Sequence, residues 1–342
     1  MSSTTRLSSS LLKAVAATGA AALTLTACGS GSGSGSASGS TGSGSGSVKV
    51  GLITKTDTNP FFVKMKEGAQ KAAKENGAEL STAAGKFDGD NAGQVTAVEN
   101  MVAAGVKGIL ITPSDSKAIV PAIRKARAKG VLVIALDSPT DPESAVDALF
   151  ATDNVKAGEL IGEYAKAAMK GRSAKIATLD LAPGVSVGVQ RHDGFLKGFG
   201  ADDKDVLCAQ DTGGDQAKGQ TAMENCLQKE PDINVVYTIN EPAALGAYTA
   251  LKAKGREKDV LIVSVDGGCT GTQAVKDGKI AATSQQYPLK MAAEGVKAVV
   301  AYAKDGKKAS GYTDTGVTLI TDTTQAGATS KDTAYGLENC WG

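Results

Sequence analysis

Aromatic residues make up only 4% of this 342-residue chain, and histidine occurs once, at His192. A serine–histidine triad would have to draw on this one imidazole. Charge of neither sign dominates. The formal net charge is +1, and without Arg6 and Lys13 near the N-terminus 35 bases face 36 acids. That balance lacks the basic footprint of a nucleic-acid partner. Long hydrophobic runs are missing too: the apolar stretch Ala14 to Leu25 is too short to span a bilayer. It follows Arg6 and Lys13 and therefore reads as a secretory signal over residues 1–27 rather than a membrane anchor.

Directly after that stretch stands Leu25-Thr26-Ala27-Cys28, a small residue before Cys that resembles the lipobox of bacterial lipoproteins. Cys28 is expected to be lipidated and to become the mature N-terminus. Gly29 to Ser47 is almost all Gly and Ser, a flexible tether with nothing to bury. Four cysteines remain, Cys208, Cys226, Cys269 and Cys340. An even number in an oxidising compartment favours disulfides over metal ligation, and three pairings are open.

From residue 48 onward the chain repeats itself. Gly89 to Asn100 (GDNAGQVTAVEN) matches Gly214 to Asn225 (GDQAKGQTAMEN) at seven of twelve positions. Lys49-Val50 corresponds to Lys175-Ile176, Thr112 to Asn240, and VLVIALD (131 to 137) to VLIVSVD (260 to 266) at nearly the same offset. Two copies of about 125 residues are domain-sized, so two similar lobes facing one cleft are expected. The runs Val106 to Ile111, Val131 to Leu136, Val235 to Ile239 and Val260 to Val265 are short and Val/Ile-rich, as buried parallel strands are. Between them lie helical periodicities closed by Gly77, Gly130 and Gly171 and opened by Asp90, Asp153 and Asp215. The fold class is α/β, two doubly wound parallel sheets, with ligands beyond the strands' carboxyl ends. Thr112, Asp137, Asn240 and Asp266 fall there.

Three catalytic or metal motifs fail on their context. Gly184 to Gly188 (GVSVG) has the form of a nucleophile elbow, but His192 lies only six residues after Ser186 on the following helix, where such hydrolases do not carry their base. Asp88, Asp90, Gly93 and Glu99 match four positions of a calcium loop; Ala92 occupies a ligand position and Glu99 lies in a predicted helix. Neither first strand is followed by G-x-G-x-x-G, so no dinucleotide cofactor is implied. What remains at the cleft is Lys55, Asp57 and Asn59-Pro60-Phe61-Phe62. In so aromatic-poor a chain, a Phe doublet at a strand end suits packing on the C–H faces of a sugar, with neighbouring polar groups for its hydroxyls; the alternative is that both rings pack in the core.

These segments carry a family resemblance. TKTDTNPFFVKMKEGA (54 to 69), ILITPSDS (109 to 116), VIALDSP (133 to 139), ATDN (151 to 154), QRHDGF (190 to 195), TINEPAALGA (238 to 247), IVSVDG (262 to 267) and ATSQQYP (282 to 288) resemble the ribose-binding type of periplasmic sugar-binding protein, the type I solute receptors of ABC importers. The resemblance implies a three-segment hinge, with one lobe over 48–152 plus 287–315 and the other over 153–286 plus 316–342. It implies sugar contacts from Asn59, Phe61, Phe62 and Asp137 on the first lobe and from Arg191, Asn240, Asp266 and Gln286 on the second or at the hinge, with Lys55 and Asp57 beside them. This chain departs from ribose binders at Ser138, where they carry Arg, at Gly214, where they place an aromatic, and at Lys55, where they have Ser. Lys55, Asp57 and the paired-Cys segment CAQDTGGDQAKGQTAMENC (208 to 226) look closest to fructose-type receptors. The expected disulfides are Cys208 with Cys226, joining a strand end to the next helix, and Cys269 with Cys340, pinning the tail.

The expectation is a monomeric, lipid-anchored, non-enzymatic receptor on the outer face of the cell membrane. It would close on a monosaccharide, fructose or another hexose, and deliver it to ABC permease subunits, without metal, cofactor or nucleic acid. A receptor of the same fold that presents a sugar or autoinducer to a membrane sensor is the competing class. A repressor of this fold is excluded by the signal and by the lack of a helix-turn-helix.

Overall fold

The computed structural model describes residues 47–342, so the signal, the lipidation site at Cys28 and the tether before Ser47 lie outside the described residues. The described chain alternates strand and helix in two rounds. The first runs β1 (Val48–Thr54), α1 (Pro60–Glu75), β2 (Ala78–Ala84), α2 (Asn91–Ala103), β3 (Gly108–Ile111), α3 (Val120–Ala128), β4 (Leu132–Leu136) and β5 (Ala148–Ala151). The second runs α4 (Asn154–Met169), β6 (Ile176–Asp180), α5 (Ser186–Phe199), β7 (Val206–Asp211), α6 (Gln216–Lys229), β8 (Val235–Thr238), α7 (Glu241–Ala253), β9 (Leu261–Asp266), α8 (Cys269–Lys276) and β10 (Ala282–Gln285). Then follow α9 (Pro288–Asp305), β11 (Gly311–Asp314), β12 (Thr318–Ile320) and α10 (Thr333–Asn339).

Two six-stranded sheets result, ordered β11-β5-β4-β3-β1-β2 and β12-β10-β9-β8-β6-β7. Strand for strand they have the same order, as the internal repeat requires. All pairings are parallel except β10 with β12. The chain passes between the sheets three times, after β5, after β10 and after β11. The central strands β3 and β4 are buried along their whole length. They need apolar residues on both faces because helices cover both, and the core lies in layers on each side of each sheet. The edge strand β2 (AELSTAA) is half exposed and has no comparable apolar run, which is why apolar content alone does not mark it.

The repeated segments occupy equivalent places. Asp90 caps α2 by accepting from the Gly93 amide at 2.9 Å, and Asp215 caps α6 by accepting from the Lys218 amide at 2.9 Å. Asp153 caps α4 in the same way. Each satisfies an amide that the first helical turn leaves unpaired. Helices α4 and α5 cross closely through glycines: a Cβ on Gly158 would run into the Arg191 carbonyl, and one on Gly194 into the Val155 carbonyl. That crossing places Arg191 against Asn154. Both expected disulfides are present, Cys208–Cys226 and Cys269–Cys340.

Candidate functional site

Between the two sheets, at the carboxyl ends of their strands, lies a cleft lined from the first sheet's side by Lys55, Asn59, Phe61, Phe62, Asp88 and Asp137. From the second sheet's side come Leu181, Val187, Arg191, Ile239, Asn240 and Asp266, and Gln286 stands where the chain leaves β10. The cavity at this point is small, about 30 Å³, and is open to solvent. It continues into a wider mouth rimmed by Lys86, Phe87, Gly213, Gly214 and Lys218.

Asn59 caps α1, its side chain accepting from the Phe61 amide at 3.0 Å, with Pro60 in the first helical turn. This turn projects Phe61 and Phe62 inward. Their rings meet edge to face at 5.3 Å, and both are buried in the first lobe's core while lining the cleft. The two readings of the Phe doublet are therefore compatible.

Asp137 and Asp266 stand at matching strand ends, and both have positive φ, 63° and 136°. Such backbone is uncommon for residues with a Cβ and is held by its surroundings. Asp137 receives the Ser138 hydroxyl on Oδ2 at 2.9 Å, while its Oδ1 is buried without a hydrogen-bond partner among the described residues. Asp266 Oδ1 accepts from the Gln286 side-chain amide at 2.7 Å, whose own Oε1 is buried and unpartnered. Burial pushes the Asp266 carboxyl up, and the Arg191 guanidinium opposes this.

Arg191, 4% exposed, lies between the two carboxylates. Its Nη2 is 3.7 Å from Asp137 and its Nη1 3.5 Å from Asp266. The guanidinium is oriented by two firmer bonds, Nε to Asn154 Oδ1 at 2.8 Å and Nη1 to the Ile239 carbonyl at 3.0 Å. Its separations from the carboxylates exceed good hydrogen-bond distances, so donor capacity remains for a guest.

Lys55 is 1% exposed, and its ammonium has no ion-pair or hydrogen-bond partner among the described residues. Beside it, Asp88 Oδ1 is buried and unpartnered. Burial raises the Asp88 carboxyl's pKa, opposed by the Lys55 charge. Two cations and three carboxylates thus share one cavity without being exhausted by one another.

Not every expected residue serves the cleft equally. Asp57 is exposed and lines a separate depression with Thr54, Phe62, Val63 and Lys66. Asn240 lines the cleft, but its amide is already engaged: Oδ1 caps α7 through the Ala243 amide at 3.1 Å and Nδ2 reaches the Gly214 carbonyl at 3.0 Å. Sequence reasoning missed Asp88, which it weighed only as a calcium ligand, and the apolar lining of Leu181, Val187 and Ile239. It also missed Glu241, buried at the start of α7, which accepts from the Gly267 and Gly268 amides and the Thr283 hydroxyl. Those bonds fix the turn behind Asp266.

The elbow motif opens α5 as a turn. Ser186 bonds Ser116 from the other lobe at 2.6 Å, and both nitrogens of His192 are taken, by Asp180 at 3.0 Å and Asp203 at 2.9 Å. Among the described residues no base faces the serine.

A family model described as a periplasmic binding protein domain matches residues 50–308. The ribose import binding protein RbsB of Bacillus subtilis (strain 168) is 38% identical over 240 residues, 70% of this chain and 76% of that protein. A D-ribose/D-allose-binding protein of Pseudomonas aeruginosa is 29% identical over 283 residues, 80% of this chain and 88% of that one. Among solved structures, a periplasmic solute-binding protein of an ABC transporter from Actinobacillus succinogenes 130z with bound D-allose superposes with a TM-score of 0.73 at 28% identity, covering 80% of this chain and 97% of that one.

Proposed function

Because this chain belongs to the periplasmic binding protein domain family, as a sugar-binding protein of ABC importers of the ribose and allose type, we propose that it carries a neutral hexose between its lobes, fructose before ribose. Lys55, Asn59, Phe61, Phe62, Asp88, Asp137, Arg191, Asp266 and Gln286 would form its contacts, with Asn240 as lining. The hinge would lie at 152–153, 286–287 and 315–316, and Cys28 would anchor the protein near its permease.

One observation carries the ligand class. Arg191 is held between carboxylates of the two lobes at 3.5 and 3.7 Å, while Asp137 Oδ1 and Gln286 Oε1 are buried acceptors without donors. A polyol supplies hydroxyl donors to those oxygens and acceptors to the guanidinium at once. A charged ligand would unbalance a cavity whose charges already nearly cancel. The preference for a hexose rests on Ser138, which is small and turned onto Asp137, and on Gly214. Gly214 rims the mouth of the cleft without a side chain, so this wall stays open where an aromatic would narrow it.

Calorimetry with fructose, allose, glucose and ribose tests both levels. A hexose should bind more tightly than ribose, and Arg191→Ala or Asp137→Ala should weaken it by roughly two to four orders of magnitude, the loss of two hydrogen bonds to a charged group. Ribose binding at least as tightly as every hexose would refute the subtype; an Arg191→Ala variant within about threefold of the parent would refute the cleft.

A further inference from the structure

Trp341 is the chain's sole tryptophan and its penultimate residue, yet it is only 5% exposed. It is fastened to the second lobe twice: Cys340 is bonded to Cys269 at the start of α8, and the Trp341 carbonyl accepts from the Cys269 amide at 2.9 Å. The indole itself packs in the first lobe's core, edge to face on Phe61 with ring centroids 5.3 Å apart. Its Nε1–H donates to the Gln286 carbonyl at 2.8 Å. A Cβ on Gly268 would meet the indole at 3.3 Å, so the ring rests on bare backbone two residues beyond Asp266.

One side chain therefore touches the Phe61 ring that faces the cleft, the Gln286 backbone whose side chain holds Asp266, and the turn that follows Asp266. The Cys269–Cys340 disulfide already ties this segment to the second lobe, so the buried indole is a further, separate attachment. An indole covalently held by one lobe and buried in the other makes its contact in full only with the lobes together.

We propose that Trp341 is a positioning residue for the ligand. Pinned by the Cys269–Cys340 disulfide, it sets the face that Phe61 offers to the sugar and the place of Gln286, and it stabilises the closed arrangement. This rests on the cleft being the sugar site.

The test uses the full mature protein and the tightest-binding hexose from calorimetry. Trp341→Ala should weaken that hexose at least tenfold, chiefly through faster dissociation, at a temperature where circular dichroism shows the variant folded. Trp341→Phe, which keeps a ring but loses the N–H donor, should fall between the two. In the parent, sugar should shield the single indole from acrylamide quenching. A lower melting temperature with affinity within twofold would assign Trp341 a structural role alone and overturn the proposal. Should Trp341→Ala fail to fold, the Cys269→Ser/Cys340→Ser variant decides: weakened binding supports the proposal, and unchanged affinity with quenching insensitive to sugar overturns it. A parent that binds no monosaccharide overturns the sugar reading itself, a distinct result.

Discussion

The carboxyl of Asp88 and the ammonium of Lys55 are the two charged groups of the cleft with nothing yet to do. Lys55 is buried without a partner among the described residues, and Asp88 Oδ1 is buried and unpaired. Leaving such groups unsatisfied is costly, and proteins retain that cost at sites where a ligand relieves it. Burial has already raised the Asp88 pKa, so a hydroxyl donor that stabilises the anion gains more there than at an exposed carboxylate. Asp88→Asn preserves shape and removes the charge. It should weaken hexose binding by roughly tenfold to a hundredfold, the range for one hydrogen bond to a charged group; titration calorimetry showing affinity within twofold would remove Asp88 from the site. Asp57, two residues past Lys55 but turned to solvent, should tolerate the same exchange, and it serves as the control.

Helix α5 presents Arg191 to the cleft, and its next residue, His192, ties the same turn to two carboxylates. His192 Nδ1 meets Asp180 at the end of β6, and Nε2 meets Asp203 beyond the helix. The hydrogen bond to Asp180 is the main reason the imidazole's pKa is raised to about 9, against the opposing effect of burial. A folded-state value above the unfolded value of about 6.5 means that the charged ring stabilises the fold fully below that pH and that the gain is lost as pH rises through about 9. His192→Gln should therefore lower stability by about 1 to 3 kcal/mol at pH 6, with the difference from the parent shrinking towards pH 9.5 in denaturant melts; a pH-independent difference would dismiss the charge. Asp203 is mostly exposed, so most of the effect belongs to Asp180. At this scale the sequence was informative where periodicity and caps coincide. The buried strands β3, β4, β8 and β9, the caps Asp90, Asp153 and Asp215, and the repeat all read directly. The edge strand β2 did not, because a half-exposed strand alternates polar and apolar residues over too few positions to stand out, and β7 was placed only through the disulfide expected at Cys208. Asp88 and Glu241 were illegible for a related reason: their role comes from burial by distant segments, which no local pattern records.

For the whole molecule, specific side-chain contacts join the two lobes. Arg191 of one faces Asp137 of the other at 3.7 Å. Ser116 binds the Gly184 carbonyl through its amide at 3.0 Å and the Ser186 hydroxyl at 2.6 Å, and Trp341 meets Phe61. Three connecting segments leave the lobes joined but not fused; at one, the Thr152 hydroxyl reaches the Gly316 carbonyl at 3.2 Å. A ligand can shift an opening equilibrium only by its differential affinity for the two states. A sugar that bridges Asp137 and Arg191 has such a difference built in, since only the closed cleft offers both. Small-angle scattering should accordingly show the radius of gyration of the parent falling on addition of the hexose, with no fall for Arg191→Ala at the same concentration. Linked to this, ligand at about 100 times its dissociation constant should add about 2.7 kcal/mol of stability and raise the melting temperature of the parent by several degrees. Compaction without added stability would mean that the sugar acts outside the cleft; stability without compaction would mean that the lobes are already closed and that the hinge carries no part of binding.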